Sequence, residues 1–142
     1  MNTVAVFRSK YASRFAEEPP GRALANTLRE GLRQRGFAVQ EPVLWEPFFD
    51  LCCRSGTIDY HLMIGLYDPE YGAWVVQCPR KYGFLKKLLG ATEERELGSL
   101  LDAIHGCLQE DDAVYDVRWF ADKVPSDPFR AEPHATGPRG DA

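Results

Sequence analysis

No apolar run in this 142-residue chain approaches the roughly 20 residues that a membrane-spanning helix requires. A helical transmembrane protein is thereby excluded. The opening stretch MNTVAVFRSKYASRF carries arginine and lysine where a signal peptide would need its apolar segment, so a cytoplasmic location is expected. The four cysteines, at 52, 53, 78 and 107, form no CxxC pair, which argues against a zinc or dithiol motif and for free thiols in a reducing compartment. Positive charge is also short. The net charge of −4 excludes general attraction to nucleic acid or anionic lipid, and neither a nucleic-acid partner nor a membrane is expected. No phosphate-binding glycine loop, internal repeat or low-complexity segment interrupts the domain, and nothing calls for a metal or another cofactor.

What is present fits one α+β domain over residues 1–120, followed by a Pro/Gly-rich segment, 121–142, expected to be flexible and to stand outside the fold. Its Arg139-Gly140-Asp141 reads as a chance tripeptide. Val4-Ala5-Val6-Phe7 is a short strand. Over residues 20–35, Leu24, Leu28 and Leu32 share one helical stripe, with Pro20 in the first turn and Gly36-Phe37 as the stop. A second helix spans about 93–109. Thr92 starts it, and Leu97, Leu100, Leu101, Ile104 and Leu108 form its stripe. Before it, Phe84, Leu85, Leu88 and Leu89 suggest a short helical segment ended by Gly90. Tyr115, Val117 and Trp119 alternate with Asp116 and Arg118, as in a strand with one buried face.

Between the helices lies a three-strand meander at 47–54, 57–67 and 73–78. A two-residue turn at Ser55-Gly56 would set Arg54 opposite Thr57, Cys52 opposite Asp59, Asp50 opposite His61 and Phe48 opposite Met63. The next turn, Asp68 to Gly72, would set Leu66 opposite Trp74 and Ile64 opposite Val76. The expected architecture is a two-layer sandwich: an antiparallel sheet of four to five strands with both helices on one face. Its other face is left to water or to a partner.

That frame decides which side chains can meet. Cys78 stands beside Arg80 and Lys81, which would activate a thiol, but alternation turns it toward the helices with Trp74 and Val76, and burial raises a thiol pKa. A tyrosine-phosphatase-like loop would need arginine at position 84, which is Phe84. His105 and Cys107 lie two apart on a helix and cannot share an ion. His105 is instead a border histidine. Asp50 and His61, an opposed pair on the outer face with Phe48, Cys52, Asp59, Met63 and Gln77 around them, could form a binding surface or an oriented general base. Tyr67 and Tyr71 rim the Asp68–Gly72 turn, where amphipathic aromatics favour an interface. Arg80, Lys81, Lys86 and Lys87 would receive an anion or an acidic partner.

The order of an early Leu-rich helix ending in RGF, then WEPFFDLCC, YHLMIGLY, WVVQCPR and LLDAIHGCLQEDDAVYDVRWF resembles a group of small bacterial α+β proteins without an assigned function. The resemblance covers roughly residues 20–120 and carries over no catalytic residue. Size, acidity and α+β pattern are similar to those of bacterial toxin-neutralising immunity proteins by class, not by motif. The expected function is therefore a non-enzymatic protein-interaction module, immunity-like or an accessory of a toxin or secretion system. It would bind a protein partner through the outer sheet face and the 68–72 loop. The alternative is a small-molecule binder or enzyme using Asp50 and His61. A homodimer through a strand edge or the outer face is a third expectation.

Overall fold

A computed structural model describes residues 1–14, 17–79, 91–121, 123–130 and 135–139, of which 91–93 are described for the backbone alone. The elements run β1 (Val4–Ser9), α1 (Arg22–Gln34), β2 (Ala38–Val39), β3 (Val43–Trp45), β4 (Phe48–Ser55), β5 (Ile58–Asp68), β6 (Ala73–Gln77), α2 (Ala91–Glu110) and β7 (Val114–Phe120). The protein is α+β: the strands form one antiparallel seven-stranded sheet, ordered β2-β4-β5-β6-β1-β7 with β3 also on β4, and the helices pack against it. Four to five strands were expected. The two extra ones, β2 and β3, follow each other along the outer side of β4, interrupted at Pro42, where a ladder N–H is missing.

Each helix forms because its apolar residues recur on one side. Leu24, Leu28 and Leu32 of α1 are buried, as are Leu97, Leu100, Leu101, Ile104 and Leu108 of α2. Each such side chain contributes roughly 2 kcal/mol of transfer free energy. They meet Ala5, Phe7, Phe49, Leu51, Leu62, Ile64, Trp74 and Val76 from the inner sheet face. α1 stops at Gly36 (φ 94), where Gly36 N–H donates to the Arg33 carbonyl at 3.0 Å and Phe37 N–H to that of Leu32 at 3.1 Å. These bonds satisfy the last carbonyls of the helix and fold Phe37 back onto the core. Pro20 lies just before α1, whose N-cap is Gly21. The two helices touch at Gly31, where an added Cβ would stand 2.8 Å from the Cys107 sulfur.

The meander forms, but its first hairpin is shifted. Gly56 and Thr57 make the turn, with Gly56 at φ 63, and Ser55 belongs to the strand opposite Ile58. Ser55 is the buried polar residue that explains this. Its hydroxyl donates to the Glu96 carbonyl at 2.7 Å and is thereby held against α2. The shift is two residues, so Asp50 faces Met63 and Cys52 faces His61, where Asp50–His61 and Cys52–Asp59 were expected. A two-residue shift leaves every side chain on its expected face. The second hairpin has the expected pairs Leu66–Trp74 and Ile64–Val76, with a bulge before Asp68.

β7 departs from simple alternation. Asp116 takes φ 58, a left-handed conformation that Asp tolerates, and the β1–β7 register slips between Val6 and Arg8. Val114 and Trp119 are both buried as a result, whereas Tyr115, expected on the buried face, is 50% exposed.

Within the segment 121–142, expected to stand outside the fold, several described residues pack onto it. Phe129 is buried with Val4, Val6, Ala73, Val75 and Phe120 in a second apolar cluster on the outer sheet face, with Val124 packed beside them. Ala135 exchanges backbone hydrogen bonds with Trp119 at 2.9 and 3.4 Å. Arg139 reaches Asp102 of α2 at 3.0 Å. No helix is long and apolar enough to cross a membrane among the described residues.

Candidate functional site

The outer face divides into two parts. Across β6, β1 and β7 it is apolar and covered by Phe129 and Val124, while across β4 and β5, next to β3, it is polar. The polar corner holds Asp50, Cys52 and Arg54 from β4 and Asp59 and His61 from β5, on one face because their positions share parity along paired strands. Asp50 and His61 are diagonal neighbours, not directly opposed. Their side chains still meet, with His61 Nδ1 2.9 Å from the Asp50 carboxylate, whose side chain is only 14% exposed.

Asp59 is held by Arg54 through two bonds of 2.9 and 3.3 Å, and the guanidinium lowers its carboxyl pKa. A depression of about 250 Å³ beside them is lined by Val39, Gln40, Cys52, Arg54 and Asp59.

Cys52 adds a third reactive type to this corner, and the shifted hairpin sets it directly opposite His61. Cys52 is the cross-strand partner of the histidine that Asp50 orients, an order that outwardly matches a nucleophile, a base and an orienting acid. Its electrostatics run the other way. Partial burial and the carboxylates of Asp59 and Asp50 raise the Cys52 pKa, with only Arg54 opposing, so the thiol stays protonated. Among the described residues, no group of three or more His, Cys, Asp or Glu converges as a metal site.

The remaining expected residues separate from this corner. Phe48 and Met63 lean onto the second apolar cluster, and Gln77 is the neighbour of Met63 on β6. Tyr67 and Tyr71 lie six or more residues along the chain from His61, about 20 Å if extended, and are 43% and 37% exposed. Together with Asp68, Glu70 and Pro125 they line an open recess of about 590 Å³. A narrower recess of about 210 Å³ on the other side of Tyr71 is lined by Arg8, Tyr11, Ser13, Trp74 and Tyr115. Tyr11 donates to Asp111 at 2.6 Å, and burial together with that bond raises its pKa. Arg80 and Lys81 fall outside the described residues, as does the helical segment proposed around Phe84 to Leu89.

Cys78 is buried at 1% exposure and desolvation raises its thiol pKa well above the ordinary value, so it is no nucleophile. His105 borders the core as expected. Its Nδ1 accepts a hydrogen bond from Trp119 Nε1 at 3.1 Å, and burial lowers its pKa.

Two surface features were missed: Tyr115 beside Tyr71, and the exposed run Val43-Leu44-Trp45. The last had a signal in its composition, a β-branched, aliphatic and aromatic run bounded by Pro42 and Pro47. Set against protein-family models, curated proteins and solved structures, the chain matches none of them.

Proposed function

We propose that this protein is a non-enzymatic protein-interaction module that engages a protein partner through the outer sheet face and the 68–72 loop. An immunity-like or accessory role in a bacterial toxin or secretion system is the kind of role its size and acidity suggest. The observation that carries the reading is the tyrosine end of the sheet. Tyr67, Tyr71 and Tyr115 are 43%, 37% and 50% exposed around one turn, with a recess on either side of Tyr71. Tyrosine combines large contact area with a polar tip and little rotamer freedom to lose, and it is enriched where binding energy concentrates. Asp68 accepts from the Glu70 N–H at 3.0 Å, which pre-orders the turn and lowers the cost of binding.

The test is affinity purification from the native host with the full chain and with the separate variants Tyr71→Ala and Asp50→Arg. Loss of a specific partner from both supports the reading. A partner retained by both, or no specific partner at all, overturns it.

A second reading, a small-molecule site at the polar corner, is favoured by the Asp50–His61 bond at the rim of a depression. A protonated Cys52 supports binding there and not nucleophilic catalysis. It predicts that His61→Ala abolishes binding of a ligand found by metabolite profiling while the melting temperature stays unchanged.

A further inference from the structure

The two recesses beside Tyr71 differ in chemistry, and together they describe one ligand. The narrower, of about 210 Å³, has aromatic walls. Tyr11 and Trp74 stand with ring centroids 6.4 Å apart and planes at 58°, and Tyr115, 50% exposed, joins them. Arg8 also lines this recess, but its guanidinium lies 4.3 Å from the Phe129 ring centroid and 3.7 Å from Asp116, so its charge is already balanced.

The wider recess, of about 590 Å³, lies among Tyr67, Tyr71 and the carboxylates of Asp68 and Glu70. Among the described residues neither carboxylate is paired with a cation, Lys123 included, and no arginine or lysine stacks on either ring. Elsewhere the chain uses its own arginines for both purposes: Arg54 forks onto Asp59 at 2.9 and 3.3 Å, and Arg8 and Arg22 lie over Phe129 and Phe49. Tyrosines and carboxylates that converge without a cation are complementary to one.

We infer that the tyrosine end receives an extended, proline-rich segment of the protein partner, with a proline ring in the narrow recess and an arginine in the wide one. The inference rests on the reading of the 68–72 loop as a protein interface and names the chemistry of what that loop takes. A polyproline II segment suits the narrow recess because its rings are apolar, its φ angles are fixed beforehand and its unpaired carbonyls can accept from tyrosine hydroxyls. Its rise of about 3.1 Å per residue sets side chains three positions apart about 9 Å from each other, enough to straddle the ring of Tyr71. Arginine fits the wide recess better than lysine, since a planar guanidinium stacks on a tyrosine face while its edge forks onto a carboxylate. The turn is already ordered for this. One Asp68 oxygen accepts from the Glu70 N–H at 3.0 Å, which leaves the other for the guanidinium.

The test is fluorescence anisotropy of short labelled peptides titrated with the full chain. The probes are a proline-rich peptide with one arginine three positions from a proline, the same peptide with glutamate for arginine, and the same peptide with alanines for its prolines. The first is expected to bind saturably below about 1 mM, and each altered peptide to bind at least about tenfold more weakly. Glu70→Lys should weaken the first peptide by at least about tenfold and narrow its advantage over the glutamate peptide. Tyr115→Ala should weaken it through the proline contact, whereas Val43→Lys should leave it alone; circular dichroism melts confirm that each variant is folded. The inference is overturned by an absence of saturable binding, by equal binding of the arginine and glutamate peptides, or by indifference to both Glu70→Lys and Tyr115→Ala. The proposed function fails by a different result, a native-host purification that yields no specific partner or one that Tyr71→Ala and Asp50→Arg both retain.

Discussion

The two flanks of this sheet solve the same problem differently. At β7, the backbone of Trp119 is paired with Ala135 and the adjoining outer face lies under Phe129, over which Arg8 and Arg118 stack at 4.3 and 5.8 Å from the ring centroid. At β3, Val43, Leu44 and Trp45 keep much of their apolar surface exposed. The closed flank is stabilised within the molecule. Val43, Leu44 and Trp45, 60%, 38% and 49% exposed, bury less apolar surface than the residues of the other flank.

The contrast breaks most visibly if the cover is removed. Deleting residues 123–142 would uncover Val4, Val6, Val75 and Phe120 together with the backbone of Trp119, and the shortened chain is expected to bind a hydrophobic dye and to self-associate more than the full chain. Equal dye binding by the full and shortened chains would refute the role assigned to the cover. Phe129→Ala isolates its largest side chain. Phe129 is 8% exposed, and its truncation should cost about 3 kcal/mol in urea unfolding, the low end for a buried phenylalanine. Arg8→Ala removes the closer stacked cation, at a partly exposed site, and should cost about 0.5–1 kcal/mol. Val43→Lys on the β3 flank should change the stability of the monomer by less than about 0.5 kcal/mol, measured at a concentration too low for association. A cost comparable to that of Phe129→Ala would erase the distinction between the flanks.

The same contrast separates what the sequence disclosed from what it hid. Long periodic patterns were legible: the leucine stripes of both helices, the meander and the inward direction of Cys78 and Trp74 all follow from spacing. The Asp50–His61 contact was legible for a partly accidental reason. A turn one residue later shifts the pairing by two, yet an even shift preserves faces, and a histidine side chain reaches its diagonal neighbour. Ser55 and Gly56 both suit a turn. Only the contact of Ser55 with Glu96, 41 positions away, decides which of them belongs to the strand.

β2 and β3, of two and three residues, are too short for any period to register. The cover was hidden because its composition, rich in proline, describes the unfolded chain correctly. Phe129 and Val124 find apolar surface that exists only after β1, β6 and β7 have assembled. Tyr115 was misplaced because one left-handed residue, Asp116, reverses the parity of everything before it in β7.

The last prediction concerns pH and the seam where the closed flank meets α2. Trp119, whose backbone holds Ala135, donates from its ring to His105 Nδ1, which can accept only while that nitrogen is unprotonated. Burial lowers the pKa of His105 in the folded protein below its ordinary value of 6.5. Between the two pKa values the unfolded chain therefore binds more protons than the folded one, and stability falls as pH drops through about 6.5, levelling off below the folded value. The ring is only partly buried, so the fall is shallow. Urea unfolding across that range should show this slope in the parent and lose it in His105→Gln, with no corresponding change in Val43→Lys on the β3 flank. An identical slope in the parent and in His105→Gln would assign the pH dependence to other groups and detach His105 from the seam.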